Sequence, residues 1–266
     1  MISGQDLTIS DEHPQNTGSE TTNTGRLCLA TSSNRQNTST NKRKHSKKNP
    51  DEPLSEAIVN NVQNTALVEQ RRDQICEAAL TLFLEKGFAS TTIRDICAKS
   101  GVNQASIYDY IANKNDILRR LLNKQWFRPD VPTLAQRLEN DSDLSLQENV
   151  ANYFRDTWSK KRQGTLLAYR TVPYLQDDDR KAMRAREKAI AKELMSQLES
   201  FTQLPADDPT LEVIAQVIIY LAAFGPMRDW LIKKANNETT LRVVSAGVAA
   251  MVDQLAKENS GSNEGK

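Results

Sequence analysis

Gln104, Ser106, Tyr108, Asp109 and Tyr110 crowd into the stretch QASIYDYI, and Lys114 follows shortly after it. These side chains donate and accept hydrogen bonds, but the chain has no nucleophile beside a base, no phosphate loop and no metal-ligand spacing. The chemistry they suit is recognition of a polar surface, not bond making, so no enzyme activity and no cofactor are expected. His13 and His45 both lie in a polar leader, and Cys28, Cys76 and Cys97 are too few and too scattered for a zinc module or a disulfide framework. Cys76 and Cys97 read as small apolar helix residues. Lys plus Arg number 35 against 34 Asp plus Glu, so any affinity for nucleic acid must come from a local cluster of cations.

The polar run needs elements to position it. From about Thr65 the sequence takes on helical periodicity with almost no strand signal, which predicts an all-α fold. One helix is expected over about Val68 to Lys86, with Ile75, Ala79, Leu82 and Phe83 on one face and Gly87 as a left-handed C-cap. Thr91 or Thr92 caps a short second helix, IRDICAKS, whose inward face is Ile93, Ile96 and Cys97. Ser100-Gly101-Val102-Asn103 forms a tight turn into a third helix, QASIYDYI, with Ala105, Ile107 and Ile111 inward. A fourth starts at Asn113, ahead of Ile117, Leu118, Leu121 and Leu122. Two short helices joined by a Gly-containing turn make a helix-turn-helix, whose second helix enters a major groove while the first crosses the backbone.

The string from Arg71 to Leu122 resembles the N-terminal domain of TetR-family regulators nearly end to end. The match runs through Ile75, Ala78-Ala79, Phe83, Gly87-Phe88, Thr91-Thr92-Ile93, Asp95-Ile96, Gly101-Val102, Ile107-Tyr108, Lys114 and Ile117-Leu118. It departs at Cys97, Ile111 and Asn115, where the family favours Ala, Phe and an acid. The resemblance implies phosphate contacts from Thr92, Tyr108, Tyr110 and Lys114, with Arg94 a weaker candidate. It implies base or groove contacts from Asn103, Gln104, Ala105 and Ser106. Elementary chemistry agrees: hydroxyls and an ammonium at helix starts hold the phosphate backbone, and Gln104 can pair bidentately with adenine. The blander readings are a partly core Tyr108 and a solvated Lys114 at a helix end. Asp109 would repel phosphate unless it meets a cytosine donor or faces away.

Residues 1–64 are rich in Ser, Thr, Asn and Gln and read as a disordered leader; its run NKRKHSKK (41–48) is either a solvated tail or an auxiliary DNA contact. The helix-turn-helix domain is assigned to 65–124, a helical ligand-binding and dimerisation domain to 125–257, and a disordered tail to 258–266. Helices are expected over about Thr133 to Asn140, Leu146 to Arg162, Leu166 to Gln176, Asp178 to Phe201, Pro209 to Lys234 and Thr239 to Lys257, with Pro226 kinking the fifth of these. Leu241, Val244, Val248, Met251, Val252 and Leu255 form a stripe that packs either within the chain or against a symmetry mate, since the family's last two long helices usually pair across a homodimer. Trp158, Tyr169, Tyr174, Phe224, Met227 and Trp230 are candidates for an apolar ligand cavity. A fainter likeness to TetR regulators of lipid or acyl-thioester metabolism implies an acyl-CoA-like effector, with Arg170, Arg180, Arg184 and Arg186 meeting its headgroup unless they are solvated helix faces. Asp177-Asp178-Asp179 reads as the acidic first turn of a helix. No secretory signal or membrane span is expected, so the location is cytoplasmic. The function expected is a repressor released from a palindromic double-stranded DNA operator by a small molecule; the alternative is a helical protein adaptor that keeps the hairpin geometry without binding DNA.

Overall fold

The computed structural model describes residues 52–59 and 64–263. The basic run at 41–48, His13, His45 and Cys28 lie outside the described residues. Among those described, every regular element is a helix. No helix is long and apolar enough to cross a membrane.

Helix α1 (Thr65–Lys86) begins three residues before the expected start because the Asn64 side chain accepts the Leu67 amide. Its inward face, Val68, Ile75, Cys76, Ala78, Ala79, Leu80 and Phe83, is wider than the predicted stripe, and Leu82 is only half-buried. Gly87 does end the helix at positive φ, but at φ 89 and ψ 156 it is not in the left-handed helical region. Thr92 caps α2 (Ile93–Ser100) in a full capping box with Asp95, and Gly101 follows in true left-handed geometry at φ 72.

The expected third helix is not a regular α-helix. Residues 104–106 form turns, and Ile107–Asp109 make a single 3-10 turn. Asn103 accounts for part of this: its Oδ1 accepts the Ala105 amide, and its carbonyl accepts the Ser106 amide, so local bonds replace the first turn of an α-helix. Ile107 and Ile111 are fully buried as expected, but Ala105 is exposed.

Asn113 caps α3 (Lys114–Gln125). There follow α4 (Leu134–Asn140), α5 (Leu146–Lys160), α6 (Arg162–Thr171), α7 (Asp177–Thr202), α8 (Pro209–Leu221), α9 (Phe224–Arg228) and α10 (Asn237–Asn263). The helix expected over 209–234 is therefore divided. The break falls at Ala222-Ala223, ahead of Pro226, whose missing N–H is harmless in the first turn of α9. The final helix runs on to Asn263, where a disordered tail from 258 was expected.

Residues 52–59 also depart from the expected leader, because they are docked. Leu54 is buried in the first core, and Asn123 holds its backbone from both sides, donating to the Leu54 carbonyl at 2.9 Å and accepting its amide at 2.8 Å. Asp116 accepts the Ala57 amide at 2.9 Å, and Arg120 donates to the Ala57 carbonyl and Glu56. Eight residues with Leu54 as their one buried apolar side chain are too short to show a periodic signal, which is why sequence patterning overlooked this strap.

Two apolar cores result. The first joins α1, α2, the 3-10 turn and α3 to Leu167, Ala168, Leu175 and Met183 of the later helices. The second unites α4, α5, α8 and α10 with Ala191, Leu194 and Leu198 of α7. Each fully buried Leu, Ile or Phe contributes about 1.5–3 kcal/mol relative to exposure.

Candidate functional site

Asn103, Gln104 and Ala105 are exposed, Tyr108 is 51% exposed, and Ser106 and Tyr110 are half-buried. They stand on a frame pinned from beneath by Ile107 and Ile111, each with no exposed surface. Arg72 of α1 adds a second pin, donating from Nε to the Tyr110 carbonyl at 2.9 Å. Asp116, itself fully buried, accepts the Ala112 amide at 3.1 Å. The segment is thus a projecting, rigidly backed loop of turns that offers Gln104 and Tyr108 outward. Asp109 is half-buried and engaged within the chain, so its charge is partly withheld from the surface.

The candidates outside this segment are placed differently from one another. Arg94 is exposed on α2, with no hydrogen bond or ion pair among the described residues. Thr92 is exposed too, but its hydroxyl accepts the Asp95 amide and donates to the Asp95 carboxylate, so a phosphate must compete with the cap. Hydrogen bonds from Lys86 first, then from Thr92, hold the Asp95 carboxyl well below the usual carboxylate range. Lys114 is not the solvated helix end of the blander reading. Its Nζ donates to the carbonyls of Phe88 at 2.8 Å and Thr91 at 2.9 Å and lies 4.3 Å from the centre of the Phe88 ring. Its desolvation lowers the ammonium's proton affinity. Lys114 thereby ties the start of α3 to the loop that carries α2.

The expected ligand residues do not share one cavity. Trp158 lines a cavity of about 220 Å³ with Arg155, Arg162, Asp229 and Glu238. Phe224 lies beside Trp158, ring centres 6.4 Å apart, while Trp230 is largely and Met227 partly exposed. Tyr169 lines a second cavity of about 80 Å³ with Lys161, Arg186 and Glu187. Arg170 donates to the Leu84 carbonyl at the junction with α1, and Tyr174 packs on Phe88. Apolar character marked these residues in the sequence, but Trp158 and Phe224 pack beside each other while Tyr169, Tyr174, Met227 and Trp230 keep 36–63% of their surface exposed. Of the other arginines, Arg180 donates to the Leu175 carbonyl and Arg186 covers the Phe127 ring at 4.6 Å.

Sequence reading missed two groups. Asp179 lies in the acidic first turn of α7, as the sequence indicates, but the pattern does not show that it is buried and accepts Arg119 Nε on both carboxylate oxygens at 2.9 Å, tying α3 to α7. Arg155 and Arg162 face the larger cavity and pair with Glu238 and Asp229. Nothing in a linear pattern distinguishes such arginines from solvated ones. Cys76 and Cys97 are both buried, and burial pushes the Cys76 thiol up to about 12, which disfavours a reactive thiolate. Among the described residues no group of three or more His, Cys, Asp or Glu is placed to hold a metal ion.

Lys161, at the α5–α6 junction, gives a pH signature. Burial, with the like charge of Arg186 second, lowers its ammonium from 10.5 to about 8. The unfolded chain keeps that proton to about 10.4, so it binds more protons than the folded chain above pH 8, and stability rises with pH through this window. Lys161→Met is expected to raise the urea midpoint at pH 7 and to flatten the rise between pH 8 and about 10. An unchanged pH profile would refute the burial of this charge.

Residues 75–121 match the family model for bacterial regulatory proteins of the tetR family. The chain is 28% identical over 183 residues to the HTH-type transcriptional regulator HbdR of Aromatoleum sp. (strain CIB), covering 66% of this chain and 77% of that one. It is 36% identical over 55 residues to the HTH-type transcriptional repressor KstR2 of Mycobacterium tuberculosis, covering 21% of this chain and 28% of the repressor. A crystal structure of a bacterial regulatory protein in the tetR family from Rhodococcus RHA1 superposes with a TM-score of 0.54 at 14% identity, over 70% of this chain and 97% of the other.

Proposed function

Because this chain belongs to the TetR family of helix-turn-helix transcriptional regulators, we propose that it is a repressor that binds a near-palindromic operator as a homodimer and is released from it by a small molecule. The observation that carries this reading is the exposed segment Asn103 to Tyr110, held rigidly by Ile107, Ile111, Arg72 and Asp116. Residues 65–124 form the duplex-binding part, and the helices beyond 124 take the effector and the second protomer. Gln104, with Asn103, Ala105 and Ser106, faces base edges. Tyr108, Tyr110, Thr92 and Arg94 face phosphates, and Lys114 sets the register of α2 against α3. The basic run at 41–48 adds salt-dependent phosphate contacts.

The faces of α8 and α10 left outside the second core support the homodimer. Val213 and Tyr220 on α8 and Val243, Gly247 and Ala250 on α10 are exposed and uncharged. The stripe expected for this role is instead mostly internal: Leu241, Val248 and Val252 are buried, and Val244, Met251 and Leu255 are half-buried. A two-fold dimer would set the two recognition segments roughly 34–36 Å apart, one turn of DNA.

Release follows if the effector favours a dimer whose recognition segments no longer match successive grooves. The Arg119–Asp179 pair and the packing of α6 on α3 provide the path. Linkage then requires that operator weaken effector binding by the same factor as effector weakens operator binding.

Selection of bound duplexes from random DNA tests the reading. A palindrome with half-site centres about ten base pairs apart is expected, and failure to enrich any duplex at low ionic strength would overturn it. On the selected site, Gln104→Ala is expected to cost about 1–3 kcal/mol and to relax the preference at one base pair, whereas Lys114→Met should weaken all duplexes alike. Indistinguishable binding profiles for the two variants would refute these roles. A protein-binding adaptor predicts no salt-sensitive duplex binding at all.

A further inference from the structure

We propose that the cavity bounded by the end of α3 and by α5, α6, α7 and α8 is the effector site, and that Lys161 anchors there the carboxylate of a short-chain organic acid. This rests on reading the chain as a ligand-responsive regulator. Lys161 sits between α5 and α6, and the cavity it lines also meets Trp126 after α3, Tyr153 of α5, Arg186 of α7 and Ile219 of α8.

The charge at Lys161 has no counterpart. Among the described residues its Nζ makes no hydrogen bond and no ion pair, whereas the neighbouring Lys160 pairs with Asp156 at 2.8 Å. Asp130, the acid whose charge reaches Lys161, is already held on both oxygens by Arg128, at 3.0 and 2.5 Å, and acts on it less than the like charge of Arg186 does. The one carboxylate of the lining, Glu187, acts on Tyr169 and not on Lys161. The ammonium is also reachable. Trp158 Nε1 is sealed from solvent without a partner; Lys161 Nζ, equally partnerless, is not sealed, and the residue opens on this cavity. A desolvated, unpaired cation beside a second cation is unfavourable while the cavity is empty, and an anion relieves it through a charge-assisted hydrogen bond.

The rest of the lining limits the ligand. Burial holds the Tyr153 proton up to about 12, so its phenol stays a donor. Trp126, Ile219 and Ala222 provide an apolar wall. The cavity holds about 80 Å³, well below the roughly 300–1,000 Å³ of drug-sized sites. It therefore takes a compact acid and excludes a whole coenzyme A thioester, so the effector implied by the lipid-metabolism likeness does not fit here intact.

The site is also placed to act on the DNA-reading domain. Three residues after Lys161, Gly164 of α6 lies against the Gln125 carbonyl and the Trp126 amide, so closely that a Cβ would come within 2.1 Å. Trp126 itself both lines the cavity and packs on the first core. A ligand held by Lys161 touches the contact through which α6 meets α3, and the other end of α3 carries Asp116 behind the recognition segment.

The test is calorimetric titration of the full-length protein without DNA at pH 7. The probes are acetate, butyrate and hexanoate, their amides as uncharged controls, and inorganic phosphate as an anion without an apolar body. Saturable binding of at least one acid is expected, with its amide and phosphate roughly tenfold or more weaker. Lys161→Met, which keeps the apolar stem and removes the charge, should weaken that acid by a similar factor, whereas Lys160→Met should change it by less than about twofold. If Lys161→Met fails to fold, the comparison of acid with amide on the unaltered protein still decides. No saturable binding of any of the three acids, equal binding of acid and amide, tighter binding of phosphate than of every acid, or the same affinity in the Lys160 and Lys161 variants overturns the proposal. Because DNA is absent, failure here leaves duplex binding untouched, and failure of duplex binding leaves the titration interpretable.

Discussion

Replacing Asp116 by alanine is expected to destabilise the protein by about 2–4 kcal/mol, from two backbone amides left without their acceptor and one lost charge-assisted bond to Arg120. At roughly 2–4 °C per kcal/mol for a chain of this size, the unfolding midpoint should fall by on the order of 10 °C. Asp116 is fully buried, and its carboxylate joins three parts of the molecule: the Ala57 amide of the strap, the Ala112 amide behind the recognition segment, and Arg120 one turn along α3. Alanine leaves two amides without their acceptor and removes one of the three acceptors of Arg120, which keeps Glu56 and the Ala57 carbonyl. Asp116→Asn should recover part of the loss, because the amide oxygen still accepts one N–H but carries no charge for Arg120. Hydrogen exchange locates the effect, since the Ala57 and Ala112 amides should lose protection first. A midpoint shift of only a degree or two would show that these bonds are not what holds strap and recognition segment in place.

Gly164→Ala is the second large effect. In most helix interiors this exchange gains up to about 1 kcal/mol. Here the added Cβ would lie 2.1 Å from the Gln125 carbonyl oxygen and 2.9 Å from the Trp126 amide, and both are backbone atoms that no rotamer change can remove. The overpacking cost of about 1–3 kcal/mol or more therefore outweighs the propensity gain. The relief available is for α6 to move off the end of α3. Net destabilisation in urea is expected, with altered duplex affinity at temperatures where the variant remains folded. A stabilised variant would mean that α6 and α3 are not in close contact there.

The helix-turn-helix was legible because its signals are local. Ile96 and Cys97 on one face, a threonine cap before Ile93, Gly101 at the turn and Asn113 before Lys114 each act within a turn or two of chain and appear as read, whereas Ile93, expected inward with them, is only half-buried. The regular third helix failed as an expectation for an equally local reason, the Asn103 side chain bonding to the Ala105 amide. Longer-range features were illegible. Leu54, Asp179, Arg155 and Arg162 have ordinary surroundings in the sequence and acquire meaning only from partners more than fifty residues away.

Sequence alone determined that this chain is helical and that residues 75–121 carry a helix-turn-helix like that of TetR regulators. Tertiary structure decided which of the later apolar and cationic residues are core and which face a cavity, how far the N-terminal strap is docked, and through which pairs α3 communicates with α6 and α7. The reason is physical: caps, turns and helix periodicity are set by bonds between near neighbours, whereas burial, orphaned donors and ion pairs depend on which distant surfaces meet.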